Sequence, residues 1–211
     1  MQGRVVRQVF KLDKAKALDM FQRTAWPNLR SRQCRDALVD HVKEYYELVT
    51  EIVSSAFTAE QRRCGDHIDL LSYQISRISS PVEVGPAAKL LAESTFTQDE
   101  LSLLSGRLAA SIDRIESDDR SVSASLGAAD EALHQLARTL VAKDASAGGI
   151  IAAYRRYLIR NLAGKRCADT VGDRFASSVM DSFNQSFASE TDPTRAKVPP
   201  DSPPYRLRSR Y

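Results

Sequence analysis

The chain has 211 residues, of which 43% are hydrophobic and 27% are charged, and its formal net charge is +3. This composition is typical of a globular protein and excludes a fully disordered chain. No stretch approaches the ~20 consecutive apolar residues that a membrane-spanning helix requires. The first ten residues also lack the apolar segment of a signal peptide. We therefore expect a soluble protein and assign it no compartment.

Charge is distributed unevenly along the chain. Residues 1–33 carry eight basic and two acidic side chains, residues 34–190 carry 17 and 23, and residues 191–211 carry five and two. A nucleic-acid-binding domain concentrates positive charge on its folded part, so we expect no specific nucleic-acid partner. An alternative is that the basic tail binds an anionic surface, either nucleic acid or lipid, through charge alone.

Apolar residues at three- and four-residue spacing predict a series of helices. Their predicted ranges, in chain order, are 13–24, 32–57, 58–78, 86–91, 97–115, 119–143, 151–164 and 170–189. Two of them begin with the spacing of a capping box, at Thr58 with Gln61 and at Thr97 with Glu100. Residues 191–211 contain five of the eight prolines and predict a disordered Pro/Arg-rich tail after a helical domain over 1–190.

Seven or eight helices without a strand predict an all-α fold, in which long amphipathic helices pack as a multi-helix bundle. A faint internal repeat suggests an alternative. The segment Ile75-Ser76-Arg77-Ile78 recurs as Ile112-Asp113-Arg114-Ile115 after 37 residues, a period typical of helical hairpins. Helical-repeat-like packing is therefore the alternative architecture.

Two cysteine–histidine pairs are weak candidates for a zinc site. Cys64 precedes His67 by three residues, and Cys34 precedes His41 by seven. The four side chains would form a tetrahedral site if their helices packed side by side. We expect core packing instead, because Cys64 and His41 fall on apolar stripes. Neither a metal nor a cofactor is expected.

Glu131 and His134 match the Glu-x-x-His spacing of di-iron bundles. Such a site needs two copies of this pair, and the sequence contains one. Glu131 also falls on the polar side of its predicted helix. A di-iron centre is therefore not expected.

Cys167 lies between Arg166 and a predicted helix start, and both features lower the pKa of a thiol. This pattern leaves open a thiol-dependent enzyme, redox or nucleophilic. A hydrolase would also need a histidine within reach, and the chain has only three. A Cys34–Cys167 disulfide in an oxidising compartment is the structural alternative.

Three stretches resemble a group of uncharacterised helical proteins from acidobacteria. They are Ser80–Pro86 followed by Leu90-Leu91, Asp118–Ser121, and the segment from Tyr157-Leu158 to Asp169. The similarity covers about residues 12–185. The resemblance implies an all-helical fold and an exported parent protein, and it transfers no catalytic residue.

No catalytic constellation is complete, so we expect a non-catalytic helical module that binds another protein or a second copy of itself. A groove between helices would accept a partner helix. Tyr46, Arg155 and Arg156 are the residues predicted to be exposed contacts.

Overall fold

The computed structural model describes residues 2–23, 42–115, 119–162 and 173–187, which form helices and no strand. The helices are α1 (Gln2–Phe10), α2 (Lys14–Arg23), α3 (Val42–Ser55), α4 (Ala59–Cys64), α5 (Asp66–Ser76), α6 (Pro81–Glu93), α7 (Gln98–Arg114), α8 (Asp119–Ala142), α9 (Gly148–Leu162) and α10 (Asp173–Ser186). The all-α, multi-helix prediction is confirmed. Cys34, His41, Cys167 and the predicted tail lie outside the described residues.

The described residues form ten helices, where the sequence predicted seven or eight. The first addition is α1, whose short apolar stripe places Val6 in the core. The second arises because the predicted helix over 58–78 is divided at Gly65. This glycine has a φ of 86° and is both the C-cap of α4 and the N-cap of α5. A positive φ ends a right-handed helix.

Helix α6 begins five residues earlier than predicted, at Pro81 and not at Pro86. Ser80 and Glu83 form a capping box at its start, and Pro81 occupies the first helical position, which needs no N–H donor. Pro86 is therefore inside the helix, close to its first turn.

Helices α5 and α7 lie side by side and run in the same direction. Their first turns meet where the His67 Nε2 is 3.6 Å from the Glu100 Oε1. Their last turns meet where the Arg114 guanidinium donates to the Ser76 carbonyl oxygen at 3.0 Å. The arginine thus satisfies a carbonyl group that a helix end leaves without an intrahelical donor.

Helix α9 continues this layer beside α7, again in the same direction. The Gln98 amide donates to the Asp144 carbonyl oxygen at 2.9 Å near the starts of the two helices. At the other end, the Arg160 guanidinium donates to the carbonyl oxygens of Ile112 and Ile115 at 3.3 and 3.2 Å. Arg160 therefore binds carbonyl groups at the end of α7, as Arg114 binds one at the end of α5.

Helices α6 and α8 form the second layer and are also parallel. The backbone of α6 at Gly85 approaches that of α8 at Ala128. Beyond their last turns, the Lys143 ammonium donates to the Phe96 carbonyl oxygen at 2.7 Å. Helix α3 also packs against α6. Over α5–α9, helices α5, α7 and α9 therefore form one layer, and α6 and α8 form the other. Helical-repeat-like packing stays a prediction.

One hydrophobic core joins the described helices, from Val6 in α1 to Phe187 after α10. The predicted stripe of α7 is confirmed, since Leu101, Leu104 and Leu108 are all buried. Burying each such leucine stabilises the fold by about 1.5–3 kcal/mol. The core thereby fixes the relative positions of the two layers.

Candidate functional site

Within the described part of the chain, α3, α6 and α8 leave an open groove of about 670 Å³ between them. Its apolar lining includes Val42, Tyr46, Val82, Pro86, Leu90 and Ala132. Its charged lining consists of Lys43, Glu47, Lys89, Glu93 and Glu131. An apolar floor with a charged rim is the usual composition of a surface that binds a peptide or protein segment.

The floor of the groove depends on the close approach of α6 and α8 at Gly85. A Cβ atom on this residue would lie 2.9 Å from the Ala128 carbonyl oxygen and 3.1 Å from the Ala129 nitrogen. Real Cβ atoms do not approach backbone atoms this closely, so only glycine fits at this position. Glycine here allows the backbone of α6 to approach that of α8 closely.

A buried polar cluster lies at the end of the groove where α6 begins. The Glu83 side chain is 0% exposed, and its Oε2 accepts hydrogen bonds from the Ser79 and Ser80 N–H groups at 3.0 and 3.1 Å. The Tyr46 hydroxyl donates to the Glu83 Oε1 at 3.5 Å. Burial, followed by the nearby Glu83 carboxylate, raises the pKa of Tyr46 well above its usual value. The phenol is thus held as a neutral donor.

Tyr45 extends this cluster to α5. Its hydroxyl donates to the Gln74 Oε1 at 3.2 Å, and its ring contacts that of Tyr46 edge-on at 5.6 Å. Burial and the Glu83 carboxylate raise the pKa of Tyr45 as well. The two tyrosines therefore connect α3 to both α5 and α6 without adding a charge.

The surface around the groove is acidic. Apart from the buried Glu83, residues 42–55, 81–93 and 125–142 carry six Asp or Glu and three Lys or Arg side chains, and Arg7 of α1 adds one cation beside Glu47. Two groove residues already have partners: the exposed Lys89 with Glu93 at 3.7 Å, and Glu47 with the half-buried Arg7 at 3.6 Å. An exposed pair such as Lys89 with Glu93 contributes about 0–1 kcal/mol, so an incoming charged ligand can replace it.

The prediction that Tyr46 is an exposed contact residue is wrong, because its side chain is 5% exposed and forms part of the groove floor. The apolar spacing Val42, Tyr46, Val49 and Val53 was a signal for this burial.

Arg155 and Arg156 lie on α9, which does not line this groove. Arg155 is half-buried, and Arg156 is exposed. Arg156 donates to both Asp113 oxygens, at 3.0 and 2.6 Å, and this carboxylate raises the pKa of the guanidinium. The arginine therefore holds α9 to α7. The structure does not bring the three predicted contact residues together.

Cys64 and His67 lie on opposite sides of the break at Gly65. Cys64 is exposed, so the prediction that it packs in the core is wrong, and its cause is the unforeseen end of α4. His67 is buried, and burial lowers its pKa. Among the described residues no three His, Cys, Asp or Glu side chains are placed to hold a metal ion. The other two zinc candidates, Cys34 and His41, lie outside those residues.

Glu131 and His134, both on α8, lie in different environments. Glu131 is exposed on the rim of the groove, as its helical position predicted. His134 is half-buried and contacts the Phe187 ring edge-on at 5.5 Å. The Glu-x-x-His spacing therefore does not place both side chains in one site. The Cys34–Cys167 disulfide and a role for Cys167 involve residues outside those described.

Sequence reasoning missed the groove, although two of its signals were present. Ser80 and Glu83 have capping-box spacing, and this would have placed the start of α6 correctly. Gly85 in the middle of an apolar segment indicated a close backbone approach. The side-by-side packing of α3, α6 and α8 joins segments far apart in the chain, so local spacing carries no signal for it.

No described helix combines the length and the apolar character needed to cross a membrane. Comparison of the chain with protein-family models, with curated proteins and with solved structures gives no match. The resemblance to acidobacterial helical proteins stays a prediction.

Proposed function

We propose that this protein is a non-catalytic interaction module that binds a basic peptide segment in the groove formed by α3, α6 and α8. The ligand is a stretch in which Arg or Lys alternate with apolar residues. Its apolar side chains contact the floor near Leu90 and Ala132, and its basic side chains face the carboxylates of the rim. The groove itself is the observation that carries this proposal.

Three features support a peptide as the ligand. The groove runs along α6, whose 13 residues span roughly 20 Å at 1.5 Å per residue, a length that matches several residues of an extended or helical segment. The groove is partly open to solvent, so a peptide segment can enter it from the side. The excess of carboxylates favours a cationic partner and speeds its association.

The test is a selection of random peptides, displayed on phage, against the immobilised full-length chain. Ala128→Arg places a long cationic side chain at an exposed position lining the groove. Ala110→Arg makes the same substitution at an exposed position of α7 that does not line it. Both sites are helical, so the two variants are matched in residue type and helix propensity.

We expect the selected peptides to be rich in Arg or Lys with apolar residues between them. Ala128→Arg is expected to weaken their binding by about tenfold or more, as loss of a central contact does, and Ala110→Arg to leave it unchanged. Peptides that bind both variants equally, or a selection without basic peptides, would contradict the proposal.

A further inference from the structure

We propose that the C-terminal segment of the chain, residues 205–211, is an intramolecular ligand of this groove and competes with external peptides. This inference rests on the proposed function, since it names one occupant of the same site. It names one occupant of the groove within the same chain.

The first argument is where the described chain ends. Phe187 follows α10 and packs against His134 of α8, with their rings 5.5 Å apart. Glu131, on the rim of the groove, precedes His134 on α8 by three residues, less than one helical turn. The chain therefore leaves the described fold beside one wall of the groove.

The second argument is length. Residues 188–211 follow Phe187, and 24 residues span up to roughly 80 Å when extended. The groove along α6 is only roughly 20 Å long. Residues 205–211 can therefore reach any part of it, and a tether of this length holds them at an effective concentration of about 1 mM.

The third argument is charge and residue type. Residues 205–211 contain Arg206, Arg208 and Arg210 and no acidic side chain. Leu207 and Ser209 lie between the arginines, and Tyr205 and Tyr211 flank them. The segment thus combines cationic side chains with two aromatic residues and one aliphatic residue, as expected of a ligand of the groove. The lining carries three carboxylates and two ammonium groups; Lys89 is close to Glu93, Arg7 of α1 is close to Glu47, and Glu131 is the third carboxylate.

Another segment of the same chain, residues 24–41, also lies outside the described residues and leads into α3. It carries three basic and two acidic side chains, so its charge complements the acidic groove less well. It is also fixed at both ends by α2 and α3. The tail is therefore the better occupant.

The experiment is photo-crosslinking of the full-length chain with p-benzoylphenylalanine in place of Tyr205. Adducts are separated by gel into monomeric and dimeric species, and the attachment sites are mapped by mass spectrometry. The comparison variant carries Arg206→Glu, Arg208→Glu and Arg210→Glu, which reverse the charge of the segment and leave the described helices unchanged.

We expect adducts within one chain, attached to groove residues of α3, α6 or α8. Their yield is expected to fall by about tenfold in the charge-reversed variant, since three exposed ion pairs are lost. Adducts in a covalent dimer would overturn the inference in favour of a second copy. Adducts attached elsewhere, or none, would overturn it as well.

The two proposals fail differently. If peptide selection against the charge-reversed chain still yields ligands that depend on Ala128, the groove binds peptides whatever the tail does. Missing crosslinks in that case reject only the tail as occupant. If selection yields no such ligands, the proposed function itself is rejected.

Discussion

Glu83 combines two tasks at the residue scale: it caps the first turn of α6 and it accepts a hydrogen bond from Tyr46 on α3. Among the described residues it is the acidic side chain that the fold buries. A buried carboxylate is tolerated only where donors surround it. Here the donors are two backbone N–H groups and a phenol, so the cap also ties two walls of the groove together.

Replacing Glu83 by alanine is therefore expected to destabilise the protein by about 2–3 kcal/mol, because a buried N–H group at Ser80 and the Tyr46 hydroxyl lose their acceptor. The measurement is the free energy of unfolding from urea denaturation. Glu100→Ala is the matched control, since Glu100 occupies the same position of the α7 capping box but its side chain is 29% exposed.

The control is expected to cost about 1 kcal/mol, because water replaces a partly exposed cap and the contact of Glu100 with the His67 Nε2 is lost as well. Equal losses of unfolding free energy in the two variants would show that the buried capping box of α6 stabilises the protein no more than the capping box of α7.

At the scale of the elements, the spacing of α6 and α8 depends on one glycine. Gly85→Ala is expected to destabilise the protein by about 1–3 kcal/mol, because the new methyl group would overlap the α8 backbone and force the helices apart. Gly106→Ala on α7, where no atom lies within 4 Å of the added carbon, is expected to stabilise it by about 0.5–1 kcal/mol.

Thermal and urea unfolding of both variants measure this contrast. The opposite signs are the informative result, because helix propensity alone favours alanine at both positions. A stabilising effect of Gly85→Ala would contradict the close packing of α6 on α8.

The helices themselves were largely predictable, because their signals are local. The spacing of Leu101, Leu104 and Leu108 and the capping box at Thr97 place α7 within one residue of its observed ends. The predictions were wrong where a single backbone dihedral angle determines whether a helix ends. Gly65 ends α4, and a sequence pattern does not reveal whether a glycine adopts positive φ or continues a helix.

The candidate site was less predictable than the elements that form it. Tyr46 was predicted to be an exposed contact residue, and it is buried. In the structure α3 contacts α5 through Tyr45 and α6 through Tyr46, so both faces are covered. Contact of α3 with two helices at once depends on which helices are its neighbours in the fold. The spacing of residues within one segment of the sequence does not contain this information.

At the scale of the whole molecule, α3, α6 and α8 come from distant parts of the chain and together line one groove. The described residues end at Phe187, whose ring packs against His134 of α8. The proposed binding surface and its proposed competitor are both argued from this arrangement.

The most direct test is the affinity of a fluorescein-labelled peptide with the sequence of residues 203–211, measured by anisotropy. The protein is the full-length chain with Arg206→Glu, Arg208→Glu and Arg210→Glu, alone or combined with Ala128→Arg or Ala110→Arg. We predict binding that Ala128→Arg weakens by about tenfold or more and that Ala110→Arg leaves unchanged. Equal affinity for all three proteins would contradict the assignment of this groove as the binding surface.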